Sequence, residues 1–169
     1  MIIFRYKWQP SLSLSSRVVE LDDAKTKDNV HCCEGYITSP DSDNEENFFT
    51  VPSSAVEEIR KIIKACPDLH EIEGAHALNV LDGCDNDISV SSEEGELHTI
   101  RCVNLSSFRD PEYFSYVQHL PIAEERGTDF LEEQRKEYED AQKVLEFFDE
   151  VTRILVSAGV PEKYFSLLD

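Results

Sequence analysis

A two-layer α+β domain is what this sequence predicts: five to seven mostly antiparallel strands packed against about three helices, the longest of them C-terminal. Three observations carry the prediction. Apolar and polar residues alternate at a period of two in the N-terminal third. Later they recur at spacings of three and four. The links between the central segments are short and rich in Gly, Asp, Asn and Ser. At 169 residues, with 40% hydrophobic side chains, the chain has the material for one domain and one core.

The elements follow in order. Ile2, Phe4, Tyr6 and Trp8 share one face of a strand, with Ile3, Arg5 and Lys7 on the other, and Pro10 ends it. Ser15 to Leu21 is a second, weaker strand and His31 to Thr38 a third. The polar run Ser39 to Asn47 then leads to Phe48-Phe49-Thr50-Val51, which reads as a hairpin with a long acidic tip. Strands thus fill residues 1–51.

The first helix is expected over 53–66. Ser54 and Glu57 fit a capping box behind Pro52, while Val56, Ile59, Ile63 and Cys66 form one apolar stripe that Pro67 stops. Over 77–103 three short strands (Ala77 to Leu81, Asp87 to Ser91, Glu96 to Val103) are joined by turn residues, and an antiparallel meander is the natural arrangement. Asp110-Pro111-Glu112 opens a helix over 110–120, with Pro121 as its terminator. Thr128 or Asp129 caps a long helix over 129–158, closed by Gly159 and Pro161. A final turn from Glu162 brings Tyr164, Phe165 and Leu168 onto the body.

Charge is the strongest functional signal. There are 35 acidic against 16 basic side chains, a formal net of −19, and residues 1–40 are neutral, so the whole excess lies in 41–169. A negative field of this size repels phosphate backbones and anionic lipid, which argues against direct nucleic-acid binding. It steers a basic protein inward instead. Solubility is the ordinary explanation of the same charge. The first eight residues carry charges inside their apolar run, unlike a secretory leader, and no apolar stretch reaches the roughly 18 residues of a membrane span. Five cysteines without a C-x-x-C pair fit reduced thiols in a cytoplasmic protein.

Motifs for chemistry are lacking. The five histidines form no H-x-x-x-H pattern, and the adjacent Cys32 and Cys33 face opposite sides of a strand, a poor start for a zinc site. The acidic turns starting at Asp41 and Asp82 both lack the glycine that a calcium loop needs at its sixth position. No catalytic residue, cofactor site or metal ligand is therefore assigned. What remains is a partner-binding surface: Glu132, Glu133, Glu137, Tyr138 and Asp140 on the long helix, with Asp41, Asp43 and Glu45 at the hairpin tip beside Glu34 and Tyr36. The expected function is a non-enzymatic acidic protein of inhibitor or immunity type that neutralises a basic partner. Two alternatives come from other classes. One is a small enzyme whose pocket holds His98, Cys102 or a carboxylate of displaced pKa; the other is an adaptor that self-associates through its C-terminal helix.

Overall fold

The computed structural model describes residues 1–10, 14–25, 30–39, 43–78 and 83–167. Its strands are β1 (Ile2–Pro10), β2 (Ser16–Lys25), β3 (Val30–Thr38), β4 (Glu45–Pro52), β5 (Gly74–His76), β6 (Cys84–Ser91) and β7 (Leu97–Val103). Its helices are α1 (Ser53–Ala65), α2 (Tyr113–Gln118) and α3 (Pro121–Ser157), with 3-10 turns at Pro67–Glu71, Leu105–Arg109 and Glu162–Tyr164. The strands form one seven-stranded sheet in the order β4-β3-β2-β1-β6-β7-β5. Every pairing is antiparallel except β5 with β7. The α+β architecture read from the sequence is the one observed, with α3 the longest helix.

Alternation decides which face of the sheet is covered. Phe4, Tyr6 and Trp8 on β1 stand in register with Leu21, Val19 and Arg17 on β2 and with Val90, Ile88 and Asn86 on β6. This face is buried, and α3 lies on it through Val144, Phe147, Phe148, Val151 and Leu155. The Tyr6 and Phe148 rings lie 4.7 Å apart and those of Phe4 and Phe147 6.2 Å apart. Tyr6 is fully buried, and its hydroxyl donates to Asn86 Oδ1 and to the Ser166 carbonyl, both at 3.1 Å. One residue thereby joins β1, β6, α3 and the C-terminal segment.

Among the described residues no helix packs on the opposite face, which is largely polar. Cross-strand rows run Phe48–Glu34–Glu20–Arg5–Ser89–Thr99 and Glu46–Tyr36–Val18–Lys7–Asp87–Arg101. Arg5 pairs with Glu20, the Tyr36 hydroxyl donates to Glu34, and the hydroxyls of Ser89 and Thr99 meet at 2.8 Å. Charges on this face largely answer one another across strands.

Several local expectations need correction. Residues 77–103 are not an antiparallel meander: β5 lies earlier, at Gly74–His76, and pairs in parallel with β7 at the sheet edge. The expected strand Ala77 to Leu81 falls partly outside the described residues, and Ala77 and Leu78 are not in a strand. The short-link rule holds for β6 and β7, which pair antiparallel, while β5 reaches β7 only through β6, and this longer connection permits the parallel pairing. The capping box is absent; Pro52 occupies the N-cap of α1, which has no side-chain cap bond. Pro121 does not terminate a helix but opens α3, its missing N–H being one of the unbonded first-turn donors in any case. The expected start at Thr128 or Asp129 has a real counterpart, because the helix is broken at Gly127, whose φ of 73° only glycine adopts freely.

Gly74 has no room for a side chain: a Cβ there would lie 1.8 Å from the Arg101 carbonyl oxygen. Gly74→Ala is therefore expected to unzip β5 from β7 and to lower stability by about 1–3 kcal/mol in urea denaturation. Tyr6→Phe leaves the ring stack intact but removes a donor from Asn86, which is fully buried. A loss of about 1–3 kcal/mol is expected in the same assay, with little change in the circular dichroism spectrum.

Candidate functional site

The sheet separates the residues expected to form one binding surface. Residues 129–140 of α3 lie over the β5 edge, where the Glu137 carboxylate accepts from the His76 backbone N–H at 2.6 Å. Glu45 belongs to β4, at the other edge. Six strand spacings, about 29 Å, lie between the two. Glu132 and Glu133 are exposed, and Glu133 pairs with Arg126 at 3.3 Å. Glu137 is half-buried and held by His76 and Gln134, and Asp140 pairs with Lys143 at 3.3 Å. Asp43 and Glu45 are exposed, with Glu45 on Lys163, and Asp41 lies outside the described residues. Tyr138 is not a surface anchor. It is half-buried, stacked on Tyr113 at 6.2 Å and flanked by Phe108 and Phe114. Its ring completes the core where α2 meets α3.

The structure assembles a different acidic site further along α3. A groove of about 510 Å³ lies between α3 and the end of α1, with Leu69 and Phe147 in its floor and Cys66, Asp68, Lys143, Glu146 and Glu150 around it. Pro67 ends α1 and turns the chain into the 3-10 segment that projects Asp68 toward α3. Burial raises the Cys66 thiol above its ordinary range, and the fields of Glu150, Asp68 and Glu146 add to the rise, in that order. Three carboxylates from two elements thus converge on one point. Lys143 is the local counter-charge, 3.8 Å from Asp68 and shared with Asp140. Glu146 and Glu150 have no ion pair among the described residues, and the same holds for Glu124, Glu125, Asp129, Glu132 and Glu139 on the outer side of α3. The signal was present in the sequence. Glu146 and Glu150 stand four apart, so they share a helix face as unrelieved like charges. Their partner Asp68 is 78 or more positions away and is not detectable by spacing.

A smaller cavity of about 270 Å³ opens on the polar face of the sheet, lined by Lys7, His76, Asp85, Asp87, Arg101 and Cys102 among others. Burial pushes the Asp87 carboxyl above its ordinary value, against the opposing pull of Lys7 and Arg101. His98 lies elsewhere, donating its Nε2–H to the Ile72 carbonyl at 2.8 Å and facing His70 at 5.7 Å. Among the described residues no group of three or more His, Cys, Asp or Glu side chains is arranged to hold a metal ion, and no helix is long and apolar enough to cross a membrane. No protein-family model, curated protein or solved structure matches the chain.

Burial drives the thiols of Cys33 and Cys102 up to about 12, so both are neutral core groups. Because these folded values lie above the ordinary 9.0, their contribution to stability is whole below pH 9 and is lost as the pH climbs toward 12. Alkylation of the native protein at pH 8, followed by intact mass, is expected to modify Cys32, Cys66 and Cys84 first. Cys33 and Cys102 should react only on unfolding, and equal rates for all five would contradict the burial pattern.

Proposed function

We propose that this chain is a non-enzymatic binding protein for a basic protein partner, of the inhibitor or immunity kind, and that a Lys or Arg of the partner enters the groove beside Cys66. The observation that carries the reading is the convergence of Asp68, Glu146 and Glu150 on one concave point with an apolar floor. The long aliphatic stem of a basic side chain suits Leu69 and Phe147, and its charged head suits the carboxylates at the rim. The unpaired acids along the outer side of α3 would extend the attraction beyond the groove and raise the rate of encounter. Partner and groove would then divide the labour: the field steers, and the groove selects.

The test uses immobilised protein and a lysate of the source cells at low salt, with elution by a salt gradient. A discrete basic protein released at defined salt is expected. In the variant Glu146→Lys/Glu150→Lys its affinity should fall by about tenfold or more, since each 1.4 kcal/mol is a factor of ten. Retention that is indifferent to salt, or equal for the variant, would remove the electrostatic reading.

One observation favours a second reading, a small enzyme. It is the cavity that places Asp87, with its raised pKa, beside Lys7, His76 and Arg101. Its volume lies just below the usual range for ligand pockets. Asp87→Asn separates the two, because it leaves the Cys66 groove untouched and should not alter retention of a basic partner.

A further inference from the structure

A third cavity has the opposite electrical character. It measures about 590 Å³ and opens between α1, the 3-10 turn after it and the end of β6, with Ile3, Ile63 and Pro67 as its apolar wall. The sheet builds this wall by an irregularity. The β1–β2 register shifts between Ile2 and Phe4, so Ile3 and Phe4 are both buried although they are adjacent, and Ile3 lines the cavity. Bulges of this kind re-aim single side chains beside ligand sites.

Around the mouth stand three cations and a histidine, with Ser91, Ser92 and Glu93 on the opposite side. Arg60, Lys61 and Lys64 all come from one flank of α1, and His70 from the turn. Arg60 is held at 2.8 Å by Asp23. Lys64 reaches across the mouth to Glu93 on the β6–β7 turn at 2.6 Å, with both side chains 73% exposed. Ion pairs so exposed contribute little and open readily. Lys61 has no ion pair and His70 no hydrogen bond among the described residues. In a chain of net charge −19 this is a local reversal of sign, centred on a cavity of ligand size.

We infer that this cavity binds a medium-chain fatty carboxylate, the aliphatic chain lying on Ile3 and Ile63 and the carboxylate taking the place of Glu93 on Lys64, beside Lys61 and His70. The head group follows from what the site already holds. Lys64 carries the carboxylate of Glu93, a geometry that a ligand carboxylate can reproduce, and Lys61, which has no ion pair among the described residues, answers the one negative charge that the ligand adds. A dianionic head would bring a second negative charge for which the mouth has no further unpaired lysine or arginine among the described residues. The chain follows from the lining, since Met1, Ile3, Ile63 and Pro67 supply apolar surface and the Ser91 hydroxyl is already committed to the Ile2 carbonyl.

Calorimetric titration of the full chain with decanoate, decanol and decyl phosphate, each below its micelle concentration, tests the inference. Saturable one-to-one binding of decanoate is expected, about tenfold tighter than decanol, since charge-assisted contacts distinguish them. Lys61→Met, which keeps the stem and the fold, should reduce decanoate affinity several-fold without affecting decanol. Lys136→Met, an equal loss of charge on α3, should change neither. In proton–nitrogen spectra, decanoate should shift the amides of Ile3, Ile63 and His70. Equal affinity for decanoate and decanol, tighter binding of decyl phosphate, absence of decanoate binding, or an equal effect of Lys136→Met would each overturn the assignment.

Discussion

β1 is the middle strand of the seven, and its buried residue Tyr6 is the point through which the layers are tied. A tyrosine at the centre of a core faces two demands: its ring must be packed, and its hydroxyl must not be left without a partner. Phe148 of α3 answers the first and Asn86 of β6, with the Ser166 carbonyl, the second. Those partners are 80 or more positions away in the chain, so meeting both demands fixes where α3 lies and where the C-terminal segment returns. Tyr164, also fully buried, continues that return by accepting from Asn47 Nδ2 at 2.8 Å, which anchors the outermost strand to the same segment.

Covering one face of the sheet leaves the other in water, and the charge distribution follows from that asymmetry. On the open face, strands hold their side chains at fixed register, so opposite charges can stand directly across from each other, as Arg5 and Glu20 do. The outer surface of α3 offers no such facing partner. Its acids can be relieved only by cations elsewhere on the helix or on a neighbouring element, and Arg126, Lys143 and Arg109 reach only some of them. α3 therefore keeps an excess of negative charge, with 11 acidic against 5 basic side chains.

Around the 3-10 turn at Pro67–Glu71 the sign of the surface changes over a short distance. On one side Asp68 faces Glu146 and Glu150; on the other His70 faces the cations of α1. The cause is local geometry. Successive residues of a 3-10 turn project about 120° apart, so Asp68 and His70 are delivered to different grooves by the same five-residue segment. The protein can thus present two chemically opposite concavities without any element dedicated to either.

The fold class was legible in the sequence because it depends on periodicity. The alternation of Phe4, Tyr6 and Trp8 and the three-and-four spacing of Val56, Ile59 and Ile63 each specify an element and its buried face without reference to the rest of the chain. The charge excess was equally legible, being a count. What only the tertiary structure decided was adjacency between distant residues. The parallel pairing of β5 depends on β7 lying between β5 and β6, the burial of Tyr138 on where α2 meets α3, and the separation of Glu45 from Glu132 on the order of strands in the sheet. The site at Cys66 joins residues 66–68 to 146–150, and no local pattern carries such a pairing. Periodicity records which side of an element seeks the core, and only packing settles which elements share it.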